Sequence, residues 1–308
     1  MASTPVPTGV PNDVVEWVKD AFRGCNVRVS EKLTNVPNCQ EESLDQTWIE
    51  HFSRLASPVA VSPSGTVKVE THYLGGLHHF GNWEIADIGV LLFIRRGERV
   101  TTSKVALLQS KRLYPTSSQV REEGIIDYRT GFARSADPED LRMSIAIQAE
   151  YEFNEDCRYN ALQANSDQVR SISEYERDNS LLVYYQFYNP WSLPFVQRIP
   201  LSEYATPSSE LTHGVTILPA SRIHGLLTGK QSGYRPTVKD LGTISEDAFP
   251  CGWPLEHFAG DLFLQCHEGS SFETVNDDAI QNLFYRRSGP ISAAIAITVE
   301  QVADQEVA

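Results

Sequence analysis

Residues 83–112 read WEIADIGVLLFIRRGERVTTSKVALLQSKR, and the reading of this stretch decides the fold. Ile85 to Ile94 is apolar and β-branched over a length that suits a buried strand, and a charged, Ser/Thr-containing turn leads into a second apolar run, Val105 to Leu108. Asp87 interrupts the first strand near its start, and Gln109-Ser110-Lys111 closes the second. Because strand side chains alternate, Gln109 and Lys111 share one face while Leu108 and Ser110 take the other. The hairpin thereby directs an acid, an amide and an ammonium toward one edge of a sheet. Polar residues straight after four apolar ones point to a cleft, although a solvated exit from the sheet is the plainer alternative for a Gln-x-Lys.

Metal-assisted phosphodiester hydrolysis needs such a trio: a carboxylate to hold Mg²⁺, a second oxygen donor from the next strand, and a lysine that orients water or stabilises developing charge. The pattern Asp87…Gln109-Ser110-Lys111 resembles the PD-(D/E)XK, or restriction-endonuclease-like, superfamily, and within it the Mrr-type branch that carries glutamine in the D…QXK motif. The resemblance spans residues 43–190. It implies an α/β (α+β) fold with an αβββαβ core, a mixed central sheet flanked by helices. It also implies a Mg²⁺- or Mn²⁺-dependent endonuclease, with DNA expected over RNA as its substrate, serving in restriction or antiviral defence and in some cases gated by a partner. Asp87 and Gln109 are then the metal donors and Lys111 the electrostatic catalyst. Glu84 is an auxiliary ligand, provided that a bulge or turn brings it to the Asp87 side, since three residues apart in a regular strand they face opposite ways; a surface role is the equal alternative. The family's helical glutamate falls by position on Glu50, whose helical phase points away from the apolar face of its own helix.

At 308 residues the chain is long enough for a large core or a core with a second lobe. Its net charge of −14 opposes a lone DNA-gripping protein. Arg95, Arg96, Arg99, Lys104, Lys111 and Arg112 nevertheless concentrate in the decisive stretch, and Arg95, Arg96 and Arg112 are the candidate phosphate contacts. His78 and His79 are further candidates; adjacent on a strand they point apart and cannot jointly chelate, and surface-loop histidines are the plainer alternative. The excess acid suits a nuclease whose substrate is delivered by a protein partner or by homo-oligomerisation. The alternative is a non-catalytic acidic interaction subunit with a degenerate nuclease fold. The five cysteines lie far apart with no CxxC, so free thiols are expected. No run of about 18 apolar residues implies a membrane span, and the N-terminus has no signal-peptide pattern, so a cytoplasmic protein is expected.

Along the chain, a leader and one helix fill residues 1–42, the helix starting at Asn12 or Asp13 and stopping at Gly24. A second helix starts at Ser43 and buries Leu44, Trp48, Phe52 and Leu55. A strand follows over Thr66–Tyr73, with Glu70 and His72 on the face opposite Val67 and Val69. Past the hairpin, Asp137-Pro138 starts a helix that reaches Tyr151 or Phe153. Leu181–Tyr188 is a strand whose Tyr184, Tyr185 and Tyr188 suit base stacking, although a tyrosine-rich core strand is the more common explanation. Residues 191–308 form a C-terminal extension or second lobe. It holds a short strand at Val215–Leu218, helices over Pro254–Cys266 and Asp277–Tyr285, and an alternating strand, Ile291–Val299. No P-loop, GxSxG or HExxH motif occurs.

Overall fold

The decisive stretch folds into a long antiparallel hairpin at the middle of a mixed sheet, as the computed structural model shows. It describes residues 9–62, 65–73, 85–119, 149–199, 201, 204–207, 211–246, 248–272, 280–281 and 291–301. In chain order the first elements are α1 (Asn12–Asn35), α2 (Glu41–Ser53), β1 (Val59–Ser62), β2 (Gly65–Tyr73), β3 (Ala86–Arg96), β4 (Arg99–Arg112), β5 (Thr116–Gln119) and β6 (Ala149–Phe153). They are followed by α3 (Asp167–Asn179), β7 (Val183–Tyr188), β8 (Phe195–Ile199), β9 (Thr216–Pro219), α4 (Ala220–Leu227), α5 (Val238–Gly242) and β10 (Trp253–Pro254). The short α6 (Leu255–His257) runs into a π-helical segment, Phe258–Phe263, before β11 (Ser270–Ser271) and β12 (Ile291–Gln301).

The main sheet has the order β1-β2-β12-β3-β4-β7-β9-β10, with β11 added along β4, and β5-β6-β8 form a second sheet. β12 lies antiparallel to β2 and parallel to β3, β3 antiparallel to β4, and β4 parallel to β7. Strands covered on both faces need apolar side chains on both faces, which is why β3 reads as an almost unbroken apolar run and not as an alternation. The fold is thus mixed α/β, a mixed central sheet flanked by helices. A boundary at residue 190 cuts through this sheet, because β9 to β12 all come from beyond it. β12 inserts between β2 and β3, which are not neighbours although consecutive in sequence. The small residues Ala293, Ala294 and Ala296 admit the close flanking strands.

Helices α1 and α2 cover one face of the sheet, joined by the rings of Phe22, Trp48 and Phe52 with centroids 4.7–5.8 Å apart. α4 covers the other face, where the His224 ring meets Tyr185 of β7 at 5.8 Å. α3 reaches the same histidine through Ser173 Oγ, 2.8 Å from Nδ1.

Several helix limits differ from the sequence reading. α1 does not stop at Gly24 but continues to Asn35, because Cys25, Val29 and Leu33 extend its buried stripe. Gly24 serves proximity instead: a Cβ there would meet Cε1 of His51 on α2 at 3.0 Å. The helix ends just before Val36-Pro37, where a proline disfavours the helical conformation of its predecessor. α2 starts at Glu41, not Ser43; the Ser43 carbonyl is occupied by Lys32 Nζ at 2.7 Å and Thr47 Oγ1 at 3.0 Å. Tyr151 and Phe153 belong to strand β6 and not to a helix, since the edges of β5 and β8 pair with them on both sides. Residues 137–148 lie outside the described residues, as does most of the 277–285 helix. The helix that crosses from the first strands to β7 is α3, capped by Ser166 Oγ, which accepts from Val169 N at 3.3 Å.

Candidate functional site

Residue 87 faces residue 109 across the hairpin, one step beyond the Ile88–Leu108 pair. Oδ2 of Asp87 accepts from Gln109 Nε2 at 2.5 Å and from the backbone N–H of Ser110 at 2.7 Å. Gln109 is 2% exposed, and its Oε1 is buried with no hydrogen-bond partner. Lys111, also 2% exposed, donates through Nζ to Ser110 O at 2.6 Å and lies 3.5 Å from Glu41 Oε1. The other oxygen of Glu41 accepts the backbone N–H of Arg112 at 2.8 Å. The first turn of α2 therefore clamps the end of β4.

One helical turn on, Asp45 enters from the same helix onto the opposite face of β4. Its Oδ1 accepts from Ser110 Oγ and from Tyr188 OH. Gln186 Nε2 donates to both of those hydroxyls, at 2.6 Å to Ser110 Oγ and 2.7 Å to Tyr188 OH. Residues 110 and 186 are a directly opposed pair on β4 and β7, so the parallel register sets this relay. Burial raises the Asp45 carboxyl well above the usual carboxylate range, and the charges of Asp87 and Glu41 add to that rise against the lowering effect of the two hydroxyls.

Asp45 and Asp87 both line a cleft of about 530 Å³ with Glu41, Glu42, Glu50, Ile49 and Tyr73. No lysine or arginine lines it among the described residues. Nor do three or more His, Cys, Asp or Glu side chains converge, among those residues, into a ready-made metal shell. Of the five acids that line the cleft, Asp45 and Asp87 sit deepest in the hydrogen-bond network at the end of β4, and the buried, unpartnered carboxamide oxygen of Gln109 lies behind the cleft wall beside Asp87. That set suits a hard cation that keeps several waters and takes only one or two protein carboxylates, as Mg²⁺ does. Two like charges in a half-buried site and an orphaned acceptor beside them are both relieved by a divalent cation.

Asp87 and Gln109 thus meet at one sheet end, with Lys111 two residues on in β4 and its Nζ on Ser110 O and Glu41; of the three only Asp87 lines the cleft. Glu84, His78 and His79 lie outside the described residues. Glu50 is exposed and lines the same cleft, more than one helical turn along α2 from Glu41 and Asp45. Arg95 and Arg96 are not beside the site: they end β3 where Asp87 begins it, roughly 25 Å apart at 3.3 Å per residue. Arg95 is paired with Glu300 at 3.3 Å. Arg112 is buried, bonded to Pro37 O at 3.0 Å and stacked over Tyr114 at 4.1 Å, so its guanidinium joins helix loop to sheet and does not face a phosphate. Glu70 pairs with Lys68 at 2.9 Å and is not among the cleft-lining residues. Tyr184, Tyr185 and Tyr188 are all fully buried and belong to the core. All five cysteines are free.

A helix started at Ser43 leaves Glu41 outside it, and Asp45 within it reads as an ordinary solvated acid. Their i, i+4 spacing ahead of Ile49 was the available signal. No known protein family, curated protein or solved structure matches the chain. No helix among the described residues is long and apolar enough to cross a membrane.

Proposed function

We propose that the chain is a metal-dependent nuclease of restriction-endonuclease-like type, its site formed by Asp87, Gln109, Lys111, Asp45 and Glu41. The observation that carries this reading is the Asp87 carboxylate held by Gln109 and the Ser110 amide at the end of β4, with Lys111 next in sequence and two further acids arriving from a helix. A β3–β4 hairpin followed by a helical crossover to a parallel strand supports the kinship implied by the motif. Asp87 and Asp45 would hold Mg²⁺ or Mn²⁺, with Gln109 Oε1 as neutral donor. When bound, such an ion supplies Lewis-acid neutralisation of the phosphodiester. Glu41 keeps the Lys111 side chain in place, so that its ammonium is a fixed positive charge for the negative charge developing on the phosphate. The Ser110–Tyr188–Gln186 relay fixes the orientation of Asp45.

The acidic lining and the distance of Arg95 and Arg96 favour one second reading, a non-catalytic acidic interaction subunit. Purified protein incubated with plasmid, single-stranded DNA and RNA in Mg²⁺ or Mn²⁺, against EDTA and against Lys111→Ala, separates the two. Cleavage that needs the metal and falls at least about 100-fold in Lys111→Ala supports the nuclease. Metal-independent products, or equal cutting by Lys111→Ala, sink it in favour of the second reading.

A further inference from the structure

The cleft beside Asp87 has a mixed lining: the carboxylates of Glu41, Glu42, Asp45, Glu50 and Asp87, and with them Tyr73, Ile49 and Ala293. Tyr73 ends β2 and is paired with Ala293 of β12, so its backbone is held in the sheet. Its side chain is nonetheless open, with 75% of the residue exposed. Two residues earlier on the same strand, Thr71 Oγ1 lies 3.0 Å from Ser53 Oγ of α2, which fastens the two walls of the cleft together. A large aromatic ring on a rigid strand, uncovered and directed at a cleft of small-ligand size, is a ready stacking platform.

We propose that Tyr73 stacks on an unpaired base of the substrate, next to the phosphate handled by the carboxylates of the same cleft, which makes the substrate single-stranded or locally unpaired nucleic acid. This rests on the nuclease reading above. In a duplex both faces of a base are covered by its neighbours, so a protein ring reaches one only where the base has left the stack. The acid lining points the same way, because a duplex brings one phosphate charge per about 1.7 Å of axis, and apart from Lys111 behind it the cleft has no lysine or arginine among the described residues lining it. Every base has a π-face, so this contact selects for strandedness and not for sequence.

The test is fluorescence anisotropy of labelled single-stranded DNA, single-stranded RNA and blunt duplex in Mn²⁺, on a Lys111→Ala background that leaves bound strands uncut. Tyr73→Ala is expected to weaken single-strand binding about tenfold or more. Tyr73→Phe should restore it, and an abasic strand should bind both forms alike. Since the side chain is exposed, thermal unfolding should be unchanged. Equal single-strand binding with and without the ring, or equal losses for single strand and duplex, overturns the proposal. So does a Mn²⁺-loaded protein that binds no nucleic acid at all. Mn²⁺ binding itself, followed by its paramagnetic resonance signal and by its loss in Asp87→Ala, reports separately on the nuclease reading. If no Mn²⁺ binds, that reading fails; if Mn²⁺ binds and Tyr73 is inert, only the stacking proposal does.

Discussion

Gln109 donates its Nε2 to Oδ2 of Asp87 across the β3–β4 hairpin at 2.5 Å, while its Oε1 stays buried and unpartnered. The amide thus serves as a stand-in for positive charge beside a carboxylate. Gln109→Glu replaces that donor by a second acid in the same buried place. Without metal the variant should lose about 1–3 kcal/mol, the range for an unsatisfied buried polar group. Mg²⁺ or Mn²⁺ should then stabilise it more than the wild type, because binding to the native state adds to stability by mass action. Melting temperatures in EDTA and in Mn²⁺ decide it; a variant less stabilised by metal than the wild type would remove Gln109 from the metal site.

Asp45 and Asp87 act on the same cleft with like charge, and burial holds the Asp45 carboxyl well above its usual range. Asp45→Asn keeps an acceptor for Ser110 Oγ and Tyr188 OH and removes the charge. In EDTA the variant should be at least as stable as the wild type, and its Mn²⁺ affinity should drop about tenfold or more, the effect typical of losing a group that supports a metal. Titration by calorimetry together with unfolding in EDTA checks both halves. Unchanged Mn²⁺ affinity would confine Asp45 to a structural role.

The hairpin, both N-terminal helices, β7 and β12 were legible because each writes its burial pattern locally: period 2 for β2 and β12, period 3.6 for α1 and α2, and a continuous apolar run for β3. Asp87, Gln109 and Lys111 were legible because polar residues break such runs. The place of β12 was not, since strand order is a matter of non-local pairing and nothing in ISAAIAITV names its neighbours. Asp45 was hidden for a related reason. An acid in the first turns of a helix reads as a solvated residue, and only the tertiary approach of Ser110, Gln186 and Tyr188 makes it a half-buried, hydrogen-bonded one. The arginines misled because a β-strand carries charge away from the site as fast as the chain advances.

His224 lies between Ser173 Oγ at 2.8 Å and Tyr185 OH at 3.2 Å, tying α3 and α4 to β7. Burial lowers its pKa from 6.5 to about 4, so the fold holds it neutral. Between pH 6.5 and about 4 the unfolded chain binds a proton that the folded protein refuses, and stability contributed above pH 6.5 is lost as the pH falls through that window. His224→Gln retains a hydrogen-bonding side chain and removes the titration. Its melting temperature should fall less steeply than that of the wild type from pH 6.5 to 4, the difference being read from parallel thermal scans. Parallel slopes would show that the imidazole titrates normally.

Trp48 couples the fold to the site, since it is fully buried against Phe22 and Phe52 on the very helix that carries Glu41 and Asp45. Trp48→Ala should cost about 3–5 kcal/mol, the range for truncating a large buried aromatic. Trp48→Phe should cost under about 1.5 kcal/mol, because the ring volume is mostly kept and the indole N–H it removes is buried without a partner. The site supplies a second readout. If α2 is held in place by this contact, Trp48→Ala should also reduce the stabilisation conferred by Mn²⁺, while Trp48→Phe should leave it intact. Denaturant unfolding with and without Mn²⁺ measures both, and an undiminished metal increment in Trp48→Ala would mean that the carboxylates keep their places without the core beneath them.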